Sequence, residues 1–133
     1  MKVEGRCHCG QITYEAIVDP ERVTVCHCTD CQMLSGSAYR AAVQASSASF
    51  TLRTGRPTIY VKTADSGTKR AHAFCPDCGT PIYSSAITGP PTYSLRIGCL
   101  RQRADLPPRK QIWCGSALDW SANLRALPMS DKQ

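Results

Sequence analysis

The sequence predicts a small all-β protein of the sandwich or barrel type, and three observations lead to this prediction. The chain has 133 residues, enough for one domain with its own core, and its 42% hydrophobic and 20% charged residues are typical of globular proteins. Short runs of alternating apolar and polar residues recur along the chain. Glycine, proline and serine separate these runs and favour turns between strands.

The predicted strands follow one another at short intervals. In the first, Gln11 to Val18, the apolar Ile12, Tyr14 and Ala16 alternate with polar residues, which indicates one buried face. A short apolar run at 23–25 leads into a cysteine cluster. The further predicted strands are residues 38–45, 49–53, 58–62, 70–74, 82–85, 92–98 and 111–113. We expect one zinc-binding domain over residues 1–133, with a core at about 3–121 and a weakly patterned tail at 122–133.

One helical turn is predicted from Asp30 to Ser35. Thr29 and Gln32 have the spacing of an N-terminal capping box, and Gly36 can end the helix in a left-handed conformation. Cys31 would then lie in the first turn of the helix, where free N–H groups and the helix dipole favour a thiolate.

The nine cysteines are the most informative residues in the sequence. Seven of them fall into three tight clusters, Cys7-x-Cys9, Cys26-x-Cys28-x-x-Cys31 and Cys75-x-x-Cys78. Pairs this close cannot close the long loops that disulfides stabilise, but they direct two thiolates at one point, as a tetrahedral metal requires. The odd number of cysteines also argues against a disulfide framework. We therefore predict that these clusters bind zinc.

Seven clustered cysteines divide naturally into a closed site with four ligands and an open site with three. Gly10 follows Cys9 and Gly79 follows Cys78; glycine at this position allows a positive φ and turns a backbone N–H toward the sulfur, as in a zinc knuckle. We therefore predict a structural zinc on Cys7, Cys9, Cys75 and Cys78. The remaining Cys26, Cys28 and Cys31 would hold a second zinc in an open, catalytic site.

Some of these residues allow another interpretation. Cys28-x-x-Cys31 also has the spacing of a thiol redox pair, although the chain lacks the βαβ setting of such pairs. His8 and His27 each lie between two cysteines, and alternation predicts that both point away from the metal. His72 falls in a predicted strand and is expected to be an ordinary half-buried histidine.

Four residues outside the clusters are predicted to lie in the core: Cys99, Cys114, Trp113 and Trp120. Cysteine outside a metal site behaves as a small apolar side chain, and tryptophan is usually largely buried. The alternative is that Cys99 or Cys114 is the fourth ligand that closes the second zinc site.

The charge and the apolar pattern exclude two classes of partner. The formal net charge is +6, but no basic run exceeds two residues, and metal-bound thiolates would lower the charge further. We therefore expect no nucleic-acid partner. No apolar run reaches the roughly 20 residues of a membrane span, and the N-terminal residues are too polar for a signal peptide, so we expect a cytoplasmic protein without membrane contact.

Three motifs together resemble those of a known family. They are Gly5-Arg6-Cys7-His8-Cys9-Gly10, then Cys26-His27-Cys28-Thr29-Asp30-Cys31-Gln32 followed by Ser35-Gly36-Ser37, and Phe74-Cys75-Pro76-Asp77-Cys78-Gly79-Thr80-Pro81. The similarity ends near Trp113 to Trp120. In order and spacing the motifs resemble the glutathione-dependent formaldehyde-activating enzymes, a family grouped with centromere protein V.

This resemblance implies an all-β fold in which two small sheets meet like a tent. It also implies a structural zinc on Cys7, Cys9, Cys75 and Cys78 and a second zinc on Cys26, Cys28 and Cys31, in agreement with the division above. The activity it implies is that of a carbon–sulfur lyase, which joins glutathione to formaldehyde.

The expected chemistry follows from the open zinc site. A substrate thiol would take the vacant position and lose its proton there, since a free thiol titrates near about 8.5. Glutathione suits a positive surface because its two carboxylates outweigh its one ammonium group, and the turn at Ser35-Gly36-Ser37 is a candidate for holding it. The alternatives are a non-enzymatic zinc module that binds a protein or nucleic acid, and a thiol redox or metal-handling protein.

Overall fold

The computed structural model describes residues 1–133 and confirms the all-β prediction. Nine strands and one α-helix alternate with short 3-10 turns. The strands are β1 (Lys2–Arg6), β2 (Thr13–Cys26), β3 (Arg40–Ser46), β4 (Thr51–Thr54), β5 (Thr58–Thr63), β6 (Lys69–Phe74), β7 (Pro81–Ala86), β8 (Thr92–Arg96) and β9 (Lys110–Ile112), and the helix is α1 (Thr29–Ser35). None of the helices has the length and apolar character needed to cross a bilayer.

The long strand β2 joins two sheets. Its first half pairs antiparallel with β1 and β4. Its second half pairs with β3 and, in parallel, with β9, and from there the larger sheet continues in the order β3-β8-β7-β6-β5. The register shifts between Val18 and Val23, where β2 passes from one sheet to the other. The sequence predicted a strand only over residues 11–18 and a short apolar run at 23–25, because the bulge interrupts the alternation between them.

Strand β1 was not predicted from the sequence. It contains only two inward-facing positions, Val3 and Gly5, and glycine weakens any strand pattern. In the structure the ring of Tyr14 lies over Gly5, where a Cβ would come within 2.0 Å of the ring Cζ. The glycine therefore leaves the space that the fully buried tyrosine occupies.

The strand register gives the larger sheet two chemically different faces, because residues directly opposite each other share a face. On one face Val23 pairs with Val43, Val43 with Leu95, and Leu95 with Tyr83. The first three of these residues are fully buried in the core, against which Tyr83 packs. The other face carries Cys26, Arg40, Arg96, His72 and Arg70. One face of the sheet thus builds the core, and the opposite face presents a cysteine beside several cations.

Three residues predicted to be buried lie at the surface. The side chains of Trp113 and Trp120 are 67% and 60% exposed, and Cys114 is exposed as well. All three follow β9, in a segment that contains no further strand and runs in short 3-10 turns. Cys99 is partly buried and packs against the core, as predicted.

Candidate metal centres

The first cysteine group joins two loops that are far apart in the sequence. The sulfur atoms of Cys7, Cys9, Cys75 and Cys78 all lie within 4.8 Å of one another. Each loop ends in a glycine with positive φ, Gly10 at 84° and Gly79 at 74°, as the sequence predicted. The N–H of each glycine donates to the carbonyl of the first cysteine of its pair. Each loop is thereby closed into a tight turn.

Hydrogen-bond donors of the protein lie next to two of these sulfurs. The backbone N–H of Ile12 donates to Cys7 Sγ at 3.2 Å. The hydroxyl of Thr80 lies 3.2 Å from Cys78 Sγ, and this contact, with backbone N–H groups of Cys9 and Thr80, lowers the pKa of the Cys78 thiol to about 5. Such donors favour the thiolate over the thiol, and the thiolate is the form that binds metal.

The spacing of the sulfurs fits a zinc ion. Four sulfurs placed tetrahedrally at the usual Zn–S distance of about 2.3 Å are about 3.8 Å apart. Cys7 and Cys9 Sγ are 3.5 Å apart, and Cys9 and Cys75 Sγ are 3.8 Å apart. Cys7 and Cys75 are fully buried, so a metal here would tie the first and the third motif together inside the fold.

The second cysteine group forms where β2 passes into α1. The Sγ atoms of Cys26, Cys28 and Cys31 lie within 4.8 Å of one another, and no other His, Cys, Asp or Glu ligand atom shares that group. Cys26 ends β2, Cys28 is the N-cap of α1, and Cys31 lies in the first turn. The Cys28 Sγ accepts the N–H of Cys31 at 3.3 Å. The end of β2 and the start of a short helix thus place three sulfurs around one point.

The predicted capping box at Thr29 and Gln32 is wrong, while the left-handed cap at Gly36 is confirmed. Cys28 takes the N-cap position, which frees the Gln32 side chain. Gln32 Nε2 donates instead to the carbonyls of His27 at 2.9 Å and Ser116 at 3.0 Å. The glutamine therefore fastens the C-terminal segment to the cysteine loop.

The thiols of Cys28 and Cys31 differ in the direction in which their surroundings shift the pKa. Although burial opposes ionisation, hydrogen bonds from the thiols of Cys31 and Cys26 and from the Cys31 N–H lower the pKa of Cys28, with help from Lys62. Burial and the hydrogen bond to Cys28 raise the pKa of Cys31 to about 12. A metal bound here would replace these protons, and its binding would release them.

A cavity of about 170 Å³ opens beside the three sulfurs. Its walls carry three cationic side chains, Arg40, Lys62 and Arg70, together with the imidazole of His72 and one carboxylate, Asp30. That carboxylate is already paired, since Asp30 Oδ2 lies 2.7 Å from Lys62 Nζ. The cavity is therefore suited to a ligand with negative charge.

Sequence reasoning missed these cavity residues. His72 was expected to be an ordinary half-buried histidine, and the cations on β3, β5 and β6 had no motif to mark them. The available signal was the alternation in β6, where Arg70 and His72 alternate with the small apolar Ala71 and Ala73. Only the register of the sheet shows that this polar face meets Cys26.

The residues left open by the sequence do not belong to either group of sulfur ligands. Cys99 Sγ donates to the Pro81 carbonyl at 3.0 Å, and burial raises the pKa of its thiol to about 11. Cys114 lines a different cavity, together with His27, whose Nε2 lies 2.8 Å from Gln111 Oε1. His8 is exposed. Neither Cys99 nor Cys114 supplies a fourth sulfur to the second group.

Comparison with known proteins agrees with this arrangement. The profile of the family described as "Glutathione-dependent formaldehyde-activating enzyme" matches residues 2–116, which include both cysteine groups. The chain therefore belongs to this family. A Schizosaccharomyces pombe protein named as an uncharacterized lyase is 29% identical over 94 residues, which are 69% of this chain and 64% of that protein. The chain thus spans less than two thirds of this relative's length.

A solved structure supports the fold. The crystal structure of a Rhodobacter sphaeroides protein superposes with a TM-score of 0.63 at 22% identity, covering 84% of this chain and 99% of that one. At this identity the similarity concerns the fold alone.

Proposed function

We propose that this protein is a zinc-dependent carbon–sulfur lyase acting on a thiol adduct such as S-hydroxymethylglutathione, the adduct of glutathione and formaldehyde. The observation that carries the proposal is the second cysteine group, in which three sulfurs, and no fourth ligand, adjoin a cation-lined cavity. Three protein ligands characterise catalytic zinc, whereas four characterise structural zinc. The family to which the chain belongs supports the same activity.

The two groups would hold two zinc ions in different roles. Cys7, Cys9, Cys75 and Cys78 would hold a structural zinc, and Cys26, Cys28 and Cys31 a second, catalytic one. When bound to three cysteines, zinc supplies a Lewis acid that keeps a thiol deprotonated near neutral pH.

The side chains of the cavity would bind and orient the substrate. Arg40 and Arg70 can pair with carboxylates, and Lys62 is held in place by Asp30. A cavity of about 170 Å³ is smaller than the ~300 Å³ or more of typical small-molecule pockets. It therefore encloses only the reacting end of a tripeptide, and the rest of glutathione lies over the rim.

The reaction balances without an oxidant or reductant. In the direction of breakdown, the hydroxyl of the adduct loses its proton, the carbon–sulfur bond breaks with its electron pair going to sulfur, and the aldehyde leaves. In the direction of synthesis, a thiolate adds to the carbonyl carbon and the oxygen takes a proton. Binding both reactants in the cavity makes this addition effectively unimolecular.

Metal content tests the first part of the proposal. Protein purified without chelator should contain about two zinc ions per chain, by the count of ligands. Elemental analysis of Cys28→Ser should give about one, and the exposed Cys114→Ser should still give two. A content near one that Cys28→Ser does not lower would contradict a second zinc site.

Exchange spectroscopy tests the activity. Glutathione and formaldehyde combine without a catalyst, so the rate of exchange between adduct and free reactants is measured by NMR at equal concentrations of each variant. The wild type and Cys114→Ser should both exceed Cys28→Ser. If all three proteins give the same rate, the assignment to glutathione and formaldehyde is wrong.

A further inference from the structure

We infer that His72 donates a hydrogen bond from Nε2 to the substrate oxygen beside the reacting carbon–sulfur bond, and that Arg96 is the residue that positions it. This inference rests on the proposed lyase function, because it assigns the residue that contacts the oxygen of the adduct.

The register of the sheet brings the two residues together. His72 on β6 pairs with Ser84 on β7, which pairs with Ser94 on β8, and Arg96 lies two residues further along β8 on the same face. Ser84 is small, and this leaves room for the guanidinium to cross β7. Arg96 Nη2 reaches His72 Nδ1 at 3.3 Å in the buried interior of this face.

This contact fixes which nitrogen of the imidazole carries the proton. A guanidinium has only donors, so His72 Nδ1 must accept, and the neutral ring then carries its proton on Nε2. A proton on Nδ1 would place two N–H groups against each other. Arg96 therefore holds His72 in the Nε2–H tautomer.

His72 is part of the wall of the cysteine cavity, and its protonated nitrogen is the ring atom that the protein leaves without a partner. His72 is buried by its neighbours but lines the cavity that contains the three sulfurs. Its Nε2 has no hydrogen-bond partner within the protein. Nδ1 of His27 also lacks a partner but is fully enclosed, whereas Nε2 of His72 is not. The one polar atom of the ring left free is thus not enclosed, it belongs to a residue that lines the cavity, and it is a donor.

The surroundings keep this donor neutral. Burial and the positive charges of Arg96, Arg40, Lys62 and Arg70 lower the pKa of His72 to about 4. The ring therefore stays a neutral donor at neutral pH and neither gains nor loses a proton in the reaction.

A neutral donor beside the sulfurs suits the charge change of the reaction. When a thiolate adds to an aldehyde, the carbonyl oxygen becomes negative before it takes a proton from water. In the reverse direction the hydroxyl gives its proton to water, and the oxygen is negative until the carbon–sulfur bond breaks. The His72 N–H stabilises this negative oxygen in both directions, as donors of an oxyanion hole do.

Two variants of His72 test the role of the N–H. His72→Phe fills the same space without a donor, and His72→Gln supplies an amide N–H near the position of Nε2. We expect His72→Phe to lower kcat by about 100-fold, with little change in the KM for glutathione, and His72→Gln to recover part of the loss. An active wild type with an equally active His72→Phe variant would overturn the inference and leave the proposed function intact.

Two further measurements do not depend on turnover. Nitrogen NMR of 15N-histidine protein should show an unprotonated Nδ1 and a protonated Nε2 for His72, and Arg96→Lys, which keeps a donor, should preserve this pattern. In cobalt-substituted protein, 2-mercaptoethanol should bind more tightly than ethanethiol, because its hydroxyl can accept the N–H, and His72→Phe should abolish the difference. A protonated Nδ1, or a preference that His72→Phe retains, would overturn the assignment. If instead both measurements agree with it but the wild type is no faster than Cys28→Ser, the proposed lyase function fails while the hydrogen-bond donor stands.

Discussion

Replacing Gly5 by alanine tests how the first cysteine motif is built into the fold. An ideal Cβ at this position would lie 2.0 Å from Cζ, 2.3 Å from Cε2 and 2.4 Å from Oη of Tyr14. Non-bonded carbons normally approach to about 3.5 Å, so the overlap exceeds 1 Å at two carbons of the ring, and the hydroxyl oxygen is also too close. The fold restrains the ring, because Tyr14 is fully buried and its ring centroid lies 5.5 Å from that of Phe50.

The expected cost is at the upper end of the range for an overpacked core. One added methyl group in a well-packed interior costs about 1–3 kcal/mol, and here the conflict is with a rigid ring, so we expect Gly5→Ala to lower the free energy of unfolding by about 3 kcal/mol. Gly98→Ala is the matched control, because no atom lies within 4 Å of its added Cβ. This control should stay within about 0.5 kcal/mol of the wild type.

Denaturant unfolding of the metal-saturated proteins measures both changes, since the midpoint shifts when stability changes at constant slope. Tyr14→Leu in the Gly5→Ala background should be less destabilised than the sum of the two single variants, because the shorter side chain removes the clash. The reasoning fails if Gly5→Ala unfolds at the same denaturant concentration as Gly98→Ala, or if the two substitutions prove additive.

Three further predictions concern the candidate metal centres. Cys78→Ser should give insoluble or unfolded protein because the binding energy of a structural zinc is folding energy, whereas Cys28→Ser should stay folded; circular dichroism of the two variants would contradict these roles if it showed both folded equally. For His72, whose pKa falls from 6.5 in the unfolded chain to about 4 in the fold, the unfolded chain takes up the proton first as the pH falls from 6.5. Stability should therefore decrease from pH 6.5 toward pH 4, by at most about 1.4 kcal/mol per pH unit, and urea titrations of His72→Gln should show a smaller decrease. Gln32→Leu should loosen the C-terminal segment, because its two hydrogen bonds to backbone carbonyls are lost; faster amide exchange at residues 111–116, with unchanged exchange in β7, is the expected result, and equal protection in both proteins would contradict it.

The sequence predicted most of the strands because their alternation is local. Strands β5 and β6 begin and end within one residue of the predicted ranges 58–62 and 70–74. Strand β1 was missed because its pattern is short and contains a glycine. The bulge in β2 was missed because a strand shared by two sheets changes its pairing partners, and this change leaves no periodic signal.

Predictions from the local sequence were wrong where tertiary contacts, or their absence, determined the position of a side chain. Gln32 has the spacing of a capping residue, but Cys28 caps the helix and Gln32 bonds to Ser116 instead. Trp113 and Trp120 were predicted to be buried from their size, but the segment that carries them contains only short 3-10 turns and leaves both exposed. In each case a contact across more than 80 residues, or the lack of one, decided the outcome.

By itself the sequence determined the β class of the fold, the positive φ of Gly10 and Gly79, and the two groups into which the cysteines are proposed to divide. These features depend on residue types at short, fixed spacings in the sequence, and the backbone and ligand geometry that produces them is local. Only the tertiary structure placed Arg40, Lys62, Arg70 and His72 around the second group of sulfurs. Their positions depend on the register of three separate strands, since a shift by one residue would turn these side chains to the core face. Nothing local in the sequence specifies that register. On β3 it is favoured by the burial of Val43 against Val23 and Leu95 on the opposite face, and on β6 by the burial of Ala71 and Ala73.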